Sequence, residues 1–451
     1  MNNKKLYILV SFLAIILAAC NKDSMGNEAE AENPIEEPEN PDSNPTDGEE
    51  GPTDNPNAGE RVGNVEFFNN DLISQDHILV NDAGGNRVYF MDRQGKITYD
   101  WPLNNGDLGN DCKVLENGKL LAMLESDDPQ ILIGGFGGKI EIIDSKGNVE
   151  WSFTYSDDSK ILHHDAEIMP NGNILLMTWE RKSATDAIEN GYKLQNDLFP
   201  DGIIEVDPRT NQIVWKWEAW HHLVQDHDPT KLNYGVVSEN PHKIDINYNQ
   251  REDGDITHGN AIAYDPQRDL IYLSINFYHE IWVIDHSTTI EEAKTNSGGT
   301  YNKGGDLVYR FGNPEAYQNG AGTRLFTNNH FPNLDSESGY TKLLVFGNGN
   351  DKEQSTVYEL ALPEVLQLGI DTDNEPTILW SFTHPDLYSP KVSGAVKLSN
   401  GNILITEGDD GIWEVTREHE VVWKFKGDGF YWRSYAYSKN ATAIQNTKIT
   451  F

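Results

Sequence analysis

Short apolar runs bounded by turn residues recur along the chain from about residue 62. The clearest phrase is a hydrophobic residue, any residue, Trp or Tyr, any residue, and then Phe or Trp. It occurs in six copies, some of them incomplete, at 98–101, 149–153, 213–217, 307–311, 378–382 and 421–425. A fixed internal pattern at unequal spacing is typical of a radial repeat with loops of variable length.

Each repeat contains four candidate strands. In the third repeat these are residues 164–169, 173–179, 202–206 and 212–217, which are rich in β-branched or aromatic residues and separated by Asn, Gly, Pro and Asp. Six such repeats predict an all-β fold, a six-bladed β-propeller. A ring of seven or eight blades with one degenerate repeat is the alternative.

The two ends of the repeat region complement each other. The first repeat, at 77–101, has three outer strands but lacks an inner strand, whereas 431–444 supplies a first strand with nothing after it. We therefore expect the N-terminal strands to complete the last blade, which removes exposed strand edges. Long insertions at 180–200, 218–257 and 312–329 fall in connections that share one face of a propeller. That face is expected to carry the site.

Aligning the repeats on their Asn-Gly turns brings histidines into register. His164 lies seven positions before Asn171, and His258 lies seven positions before Asp265. His330 occupies the matching place in the fifth repeat. Imidazole is a nucleophile and a metal ligand, and imidazolium donates to oxyanions. The pattern therefore predicts either transfer of an oxyanionic group or a three-histidine metal site.

Histidines outside this register are expected to be structural. His163 should point away from His164, because neighbouring side chains alternate along a strand. The histidines of the 218–257 insertion are expected at the surface or in a lid. They are His221, His222, His227 and His242.

The N-terminal segment predicts export and lipidation. Two lysines precede an apolar run, which ends in Leu-Ala-Ala before Cys20. We expect residues 1–20 to be a lipoprotein signal peptide with Cys20 lipidated, 21–61 to be a disordered acidic tether, and 62–451 to form the propeller. The protein would then be an outer-membrane lipoprotein, periplasmic or surface-exposed, held to the membrane through the lipid.

Charge and cysteine content narrow the class further. The net charge of −37 argues against a nucleic-acid partner. With Cys20 used for lipid, Cys112 has no partner within the chain, so the fold depends on its core.

Several motifs resemble the bacterial arylsulfotransferases. They are His163-His164-Asp165 followed by Pro170-Asn171-Gly172, then His258-Gly259-Asn260, the run 276–289, the run 304–314, and the run 388–402. The resemblance spans the whole predicted propeller. It implies a six-bladed propeller that moves a sulfuryl group from an aryl sulfate donor to a phenolic acceptor through a sulfohistidine. No nucleotide sulfate donor and no cofactor are implied.

The resemblance also assigns roles to residues. It makes His330 the sulfuryl acceptor, with His258, His164 and Asn260 as donors to the sulfuryl oxygens. The family arginine is replaced by Asn276, which removes a fixed cation, and the sequence around His330 departs from the family pattern. Lys391 or Arg433, each near the start of an inner strand, are candidates to substitute. A non-catalytic ligand-binding lipoprotein and a three-histidine metal-dependent propeller enzyme stay open as alternatives.

Overall fold

The computed structural model describes residues 55–104, 106–335 and 341–451. Their strands form six small antiparallel sheets arranged as a six-bladed β-propeller. The predicted signal peptide, Cys20 and most of the predicted tether lie outside the described residues. Residues 55–61 already contact the first blade, for example through Asn57, which donates to Asp100 at 2.6 Å.

Each blade contains four strands that run in order from the channel outward. Blade 1 is β27 (Tyr431–Tyr437), β2 (His77–Asp82), β3 (Arg87–Met91) and β4 (Ile97–Trp101). Blade 2 is β5 (Leu108–Val114), β6 (Leu120–Glu125), β7 (Gly138–Ile143) and β8 (Val149–Thr154). Blade 3 is β9 (Lys160–Ile168), β10 (Ile174–Glu180), β11 (Asp201–Asp207) and β12 (Gln212–Glu218).

The remaining blades follow the same order. Blade 4 is β15 (Gly259–Asp265), β16 (Leu270–Ile275), β17 (Glu280–Asp285) and β18 (Tyr309–Phe311). Blade 5 is β19 (Asn329–Asp335), β20 (Lys342–Gly347), β21 (Thr356–Ala361) and β22 (Thr377–Phe382). Blade 6 is β23 (Gly394–Lys397), β24 (Ile403–Glu407), β25 (Gly411–Val415) and β26 (Val421–Gly427).

Two N-terminal strands close the ring. β27 pairs antiparallel with β2, with Tyr435 opposite Leu79. This confirms the prediction that the N-terminal strands complete the blade of the C-terminal strand, which is numbered blade 1 here. A further strand, β1 (Gly63–Phe68), pairs with β26 as a fifth, outermost strand of blade 6. The repeat pattern did not predict β1, because this strand has no counterpart in the other blades.

The recurring aromatic phrase joins neighbouring blades. Trp215 of blade 3 donates its indole N–H to Thr288 of blade 4 at 3.1 Å, and Trp423 of blade 6 donates to the Arg93 carbonyl of blade 1 at 2.9 Å. The other four junctions carry equivalent bonds. Their donors are Trp101, Trp151, Tyr309 and Trp380. Each bond reaches the connection between the third and fourth strands of the next blade, so the phrase encodes contacts between blades as well as a strand.

The long 218–257 insertion folds against blades 3 and 4. It contains β13 (Leu223–Val224) and β14 (Ile244–Asp245), which pair in parallel. Arg310, fully buried in an ion pair with Glu280, donates to the Lys243 carbonyl at 2.8 Å and anchors the insertion. The helices outside the sheets are α1 (Ala184–Glu189), α2 (Thr442–Thr447) and four 3₁₀ turns at Ala219–His221, Val237–Glu239, Glu292–Lys294 and Pro314–Tyr317.

Candidate active site

Residues at or beside the inner strands of all six blades meet around one small cavity of about 10 Å³ at the end of the channel that faces the long insertions. The cavity brings together His164, Asn260, His330 and Arg433, four of the predicted site residues. His258 lies beside them, with its ring centroid 5.0 Å from that of His164. In ring order the blades contribute Arg433, Asn110, His164, Asn260, His330 and Ser393.

Irregular backbone directs these side chains into the channel. Register shifts occur near the site-facing ends of β5, β9, β15, β19 and β27, where each pairs with its second strand. His164 and His258 both adopt left-handed φ values, 54° and 52°. Such bulges re-aim side chains next to functional sites, and left-handed non-glycine residues cluster there. The histidine positions are thus held by the sheet against local preference.

His330 presents one nitrogen for chemistry. Its Nδ1 donates to Oδ1 of Asn348 at 2.6 Å, and the orientation of that amide is fixed because its Nδ2 donates to the Ser389 carbonyl at 2.8 Å. Nε2 therefore carries the lone pair and has no hydrogen-bond partner among the described residues. Burial lowers the pKa of His330 to about 3, with smaller contributions from His258 and Arg433, so the ring is neutral above that pH.

Three side chains of blade 4 hold the residue that precedes His330. The Asn329 carbonyl accepts from Asn260 at 2.7 Å, from Asn276 at 3.2 Å and from Ser274 at 3.2 Å. Asn276 also accepts from the side chain of Asn328 at 2.6 Å. Asn276, which the motif resemblance aligns with the family arginine, therefore positions the His330 strand. Asn260 serves the same purpose while it also lines the cavity.

His258 is paired with a carboxylate supplied by the long insertion. Its Nδ1 lies 2.5 Å from Oδ2 of Asp255, and its backbone N–H donates to the other oxygen of that carboxylate at 3.1 Å. Burial alone would lower the pKa of His258, but the negative charge of Asp255 outweighs it and raises the pKa above the ordinary value. His258 is thus suited to be the cation of the site.

His164 is backed by a second histidine. The Nδ1 atoms of His163 and His164 are 3.0 Å apart, and Nε2 of His163 lies 3.1 Å from the buried Asp201 carboxylate. The expectation that His163 points away from His164 is wrong, because the bulge in β9 breaks the alternation. Only one proton fits between the two Nδ1 atoms, so the tautomer of His164 depends on His163: when His163 holds that proton, Nε2 of His164 carries the other proton and can donate.

Burial and three neighbouring histidines set the charge of His164. Burial is the largest cause and lowers its pKa well below the ordinary value, with further lowering from His258, His163 and His330. His163 in turn stacks on Trp179, with ring centroids 3.8 Å apart, which fixes its orientation. Two neutral imidazoles, His164 and His330, therefore face one imidazolium, His258.

The two residues proposed to replace the family arginine lie in different places. Arg433 is buried at the cavity, but it contacts Asp165 at 2.8 Å and Asp111 at 3.4 Å, and it donates to the Asn260 carbonyl at 2.7 Å. Its charge is therefore offset by two carboxylates. Lys391 is exposed and lies over the Phe430 ring, 4.6 Å from the ring centre, so the structure does not bring it into the cavity.

A layer of charged groups divides the channel. Lys113 lies 2.9 Å from Glu167 and 3.5 Å from Asp165, and Tyr435 donates to Asp111 at 2.5 Å. Beyond this layer, at the opposite end of the channel, lies a larger cavity of about 380 Å³. It has no histidine in its lining, whereas the smaller cavity contains the histidines, so we assign the chemistry to the smaller one.

Other residues that the sequence analysis singled out have structural roles. Among the insertion histidines, His222 is fully buried between Asp306 and the Ala293 carbonyl, so the expectation of a surface or lid residue is wrong there. Cys112 is buried and free.

Within 55–104, 106–335 and 341–451, no cluster of three or more His, Cys, Asp or Glu is arranged to hold a metal ion. No helix in that part of the chain is long and apolar enough to cross a membrane.

The structure is thus a six-bladed propeller with a buried histidine cluster at one end of its channel. The chain belongs to the family described as Arylsulfotransferase (ASST), whose model matches residues 60–445. This match supports the resemblance drawn from the motifs and extends over nearly the whole propeller. No curated protein matches the chain significantly.

Solved structures with related folds are distant. The periplasmic gluconolactonase PpgL of Pseudomonas aeruginosa is 9% identical, with a TM-score of 0.39, over 80% of this chain and 99% of that one. A functionally unknown protein from Desulfotomaculum acetoxidans is 12% identical, with a TM-score of 0.38, over 79% and 98%. The β-propeller domain of Cps50 (Swd1) from Myceliophteria thermophila is 10% identical, with a TM-score of 0.35, over 81% and 90%. At these values the matches say nothing about function.

Proposed function

We propose that this protein transfers a sulfuryl group from an aryl sulfate to a phenol through a covalent intermediate on His330. The observation that carries the proposal is the fixed tautomer of His330. Its Nδ1–H is held by Asn348, while Nε2 keeps its lone pair and is free of hydrogen bonds to the described residues. Family membership supports sulfotransfer in general.

In the first step, Nε2 of His330 forms a bond to sulfur while the bond from sulfur to the aryl oxygen breaks. The aryl oxygen leaves with the electron pair and takes a proton from the His258 imidazolium. The His330 ring becomes positively charged, and the amide oxygen of Asn348 stabilises that charge at Nδ1–H. A neutral ring is required at the start, and the lowered pKa of His330 supplies it.

In the second step, the oxygen of the acceptor phenol forms a bond to sulfur, and the bond from sulfur to Nε2 breaks. The phenolic proton passes to His258, which has been neutral since the first step. His330 returns to its neutral form, and the aryl sulfate product leaves. Asp255 keeps His258 oriented for both proton transfers, since it holds Nδ1 at 2.5 Å.

The sulfuryl oxygens need donors during both steps. In the first step His258 is a cationic donor until it protonates the aryl oxygen, and we propose His164 and Asn260 as neutral donors in both steps. Arg433 lies near the cavity but is held by carboxylates, so its contribution is smaller than that of an unpaired arginine. The charge lost with the family arginine is therefore carried mainly by one titratable histidine.

Incubation with a nitrophenyl sulfate tests the proposal. We expect release of nitrophenolate, addition of one sulfuryl group to the peptide that contains His330, and discharge of the adduct by a phenol. The change His330→Ala should abolish release and labelling, whereas His419→Ala, at an exposed histidine in the turn between β25 and β26, should keep both.

The opposite results would redirect the assignment. Undiminished release from His330→Ala would overturn the histidine intermediate. No release from wild type across a panel of donors, together with binding of aryl sulfates, would favour the non-catalytic alternative. A stoichiometric metal in the purified protein, lost in His258→Ala, would favour the metal-dependent alternative.

The proposal extends to location. We propose that lipid on Cys20 holds the propeller at the outer membrane, on the basis of the basic start, the apolar run and the small residues before Cys20. The change Cys20→Ser should move the protein from the membrane fraction to the soluble fraction and abolish fatty-acid labelling. Unchanged membrane association would rule out the lipid as the anchor.

A further inference from the structure

Two aromatic walls lead outward from the histidine cluster, and each ends in a cation. The first wall starts at His258, on which Phe277 stacks with ring centroids 4.6 Å apart and an angle of 21°. The guanidinium of Arg251 lies 4.1 Å from the centre of the Phe277 ring. Arg251 belongs to the same insertion as Asp255, so one segment supplies both the acidic partner of His258 and this outer cation.

The second wall starts at His164 and belongs to blades 1 and 6. Trp432 lines the cavity with its ring centroid 6.3 Å from that of His164, and Phe430 packs edge-on against Trp432 at 5.5 Å. Nζ of Lys391 lies 4.6 Å from the centre of the Phe430 ring. The Lys391 carbonyl accepts from the hydroxyls of Ser389 and Ser393, which fixes its backbone beside the mouth.

Charge makes these two cations unusual. The chain has a net charge of −37, so an anion approaching from solvent meets repulsion over most of the surface. Lys391 is exposed and has no carboxylate within ion-pair distance in the described part of the chain. Arg251 pairs with Asp253, but that carboxylate is about half exposed and the pair is screened by solvent. Lys391, without a carboxylate partner among the described residues, and Arg251, in a solvent-exposed pair, are therefore positive groups beside the histidine cluster that can bind an anionic ligand.

We infer that the site prefers aryl substrates that carry a second anionic group, such as a ring carboxylate, on the side away from the reacting oxygen. This inference rests on the proposed sulfotransfer. The aromatic ring of the substrate lies between the Phe277 wall and the Trp432 wall, with its oxygen toward His330. The distal anion then lies at the mouth, within reach of Lys391 and Arg251. Both cations keep their orientation by lying over an aromatic ring.

The test compares two acceptors with one donor. With a nitrophenyl sulfate as donor, kcat/KM is measured for 4-hydroxyphenylacetate and for unsubstituted phenol. We expect wild type to favour the carboxylated acceptor. Lys391→Gln and Arg251→Gln should each lower kcat/KM for that acceptor by about 3- to 10-fold, mainly through KM, and leave phenol unchanged, as expected for the loss of a partly exposed charge pair.

The control is Lys397→Gln. Lys397 is an exposed lysine at the far end of β23, the strand that follows Lys391, and it pairs with Asp335 at 3.1 Å, so the variant removes the same charge away from the histidine cluster. It should leave both acceptors unchanged. Added salt should raise KM for the carboxylated acceptor in wild type and much less in the Lys391→Gln, Arg251→Gln double variant.

The possible failures are distinct. Equal use of both acceptors by wild type, or an equal loss for both acceptors in Lys391→Gln, would overturn the inference while sulfotransfer stands. Absence of transfer to any acceptor would overturn the proposed function itself. In that case, the affinities of the protein for 4-sulfooxybenzoate and for phenyl sulfate are compared by calorimetry. If the Lys391→Gln, Arg251→Gln double variant keeps the wild-type preference for 4-sulfooxybenzoate, the inference is overturned.

Discussion

The three histidines of this site differ in charge because the Nδ1 atom of each has a different partner. His258 has a carboxylate on Nδ1, His330 has an amide oxygen and His164 has another imidazole. The carboxylate favours the charged ring, while burial without a counter-ion favours the neutral ring. In the proposed mechanism, one acid–base group, one nucleophile and one neutral donor thus arise from a single residue type.

The pH dependence of transfer should follow His258. The pKa of His258 is raised, so its imidazolium persists to a higher pH than that of an ordinary histidine. The imidazolium is lost as the pH rises through this raised pKa. His330 is neutral above about pH 3 and does not limit activity in the neutral range. We expect kcat/KM for the donor to be flat in mildly acidic buffer and to fall on the alkaline side.

Asp255→Asn should move that alkaline limb to lower pH, because burial then dominates the pKa of His258. Rates measured from pH 4 to pH 9 with wild type and the variant check this. Glu252→Gln, at an exposed carboxylate of the same insertion, serves as the control and should leave the limb in place. An alkaline limb that stays put in Asp255→Asn would mean that another group controls the rate.

Asn348 should matter as much as a residue that touches substrate. Asn348→Leu removes the acceptor that fixes Nδ1–H of His330, so the ring can rotate or change tautomer and offer the wrong nitrogen. We expect kcat to fall by about 10- to 100-fold, as found for outer partners of metal-binding histidines, with the yield of covalent adduct falling in parallel. Asn350→Leu, an exposed asparagine on the same loop, should retain activity. Equal kcat for Asn348→Leu and wild type would contradict the role.

At the scale of the element, the connection between β6 and β7 bears on His164. Gly135 has φ of +91°, and a Cβ built there would lie 2.0 Å from Cε1 of His164. Its carbonyl also accepts from Asn110 and from the His164 backbone. The loop therefore forms one wall of the imidazole pocket and tolerates only glycine there.

Gly135→Ala should cost activity far more than Gly134→Ala. Gly134 has open space around its Cβ position, so the control adds the same methyl group one residue earlier. We expect Gly135→Ala to displace His164 and lower kcat/KM by at least about 10-fold, in line with the loss of an oxyanion donor. Side-by-side kinetics and thermal unfolding of the two variants check this. Equal activity would show that the loop moves aside.

The sequence predicted the elements well and the irregularities poorly. Local alternation and turn residues were enough for the blades, for the face that carries the site and for the register of His164, His258 and His330. The bulges were not predictable, because they arise from pairing between strands rather than from the residues themselves. The contact between His163 and His164 was missed for that reason. Asn348, Asp255 and Gly135 come from other loops and carry no local signal.

At the scale of the molecule, two sets of contacts hold the ring. The outer set is the six bonds from fourth-strand aromatic residues to the next blade, which follow from the repeated phrase. The inner set is centred on Arg433 of blade 1, which contacts Asp111 of blade 2, Asp165 of blade 3 and Asn260 of blade 4. A single side chain from the closing strand therefore joins four blades across the channel.

Arg433→Met should destabilise the fold because it leaves two buried carboxylates, Asp111 and Asp165, with Lys113 as their remaining cation. Breaking a buried ion pair typically costs about 3–5 kcal/mol in the free energy of unfolding. The sign of the pH dependence follows from Asp165, whose pKa in wild type is lowered by Arg433 and Lys113 against the effect of burial. A lowered pKa stabilises the fold above the unfolded value, about 3.9, and that stabilisation is lost as the pH falls through the folded value.

The difference in stability between wild type and Arg433→Met should therefore be largest near neutral pH and shrink below about pH 4. Urea unfolding at several pH values measures it. Lys426→Met, at an exposed lysine paired with Asp410, makes the same change in net charge and should show little difference at any pH. An equal loss for Arg433→Met at pH 7 and below pH 4 would mean that the arginine acts by packing over Phe331, 4.3 Å from its ring centre, rather than by its charge.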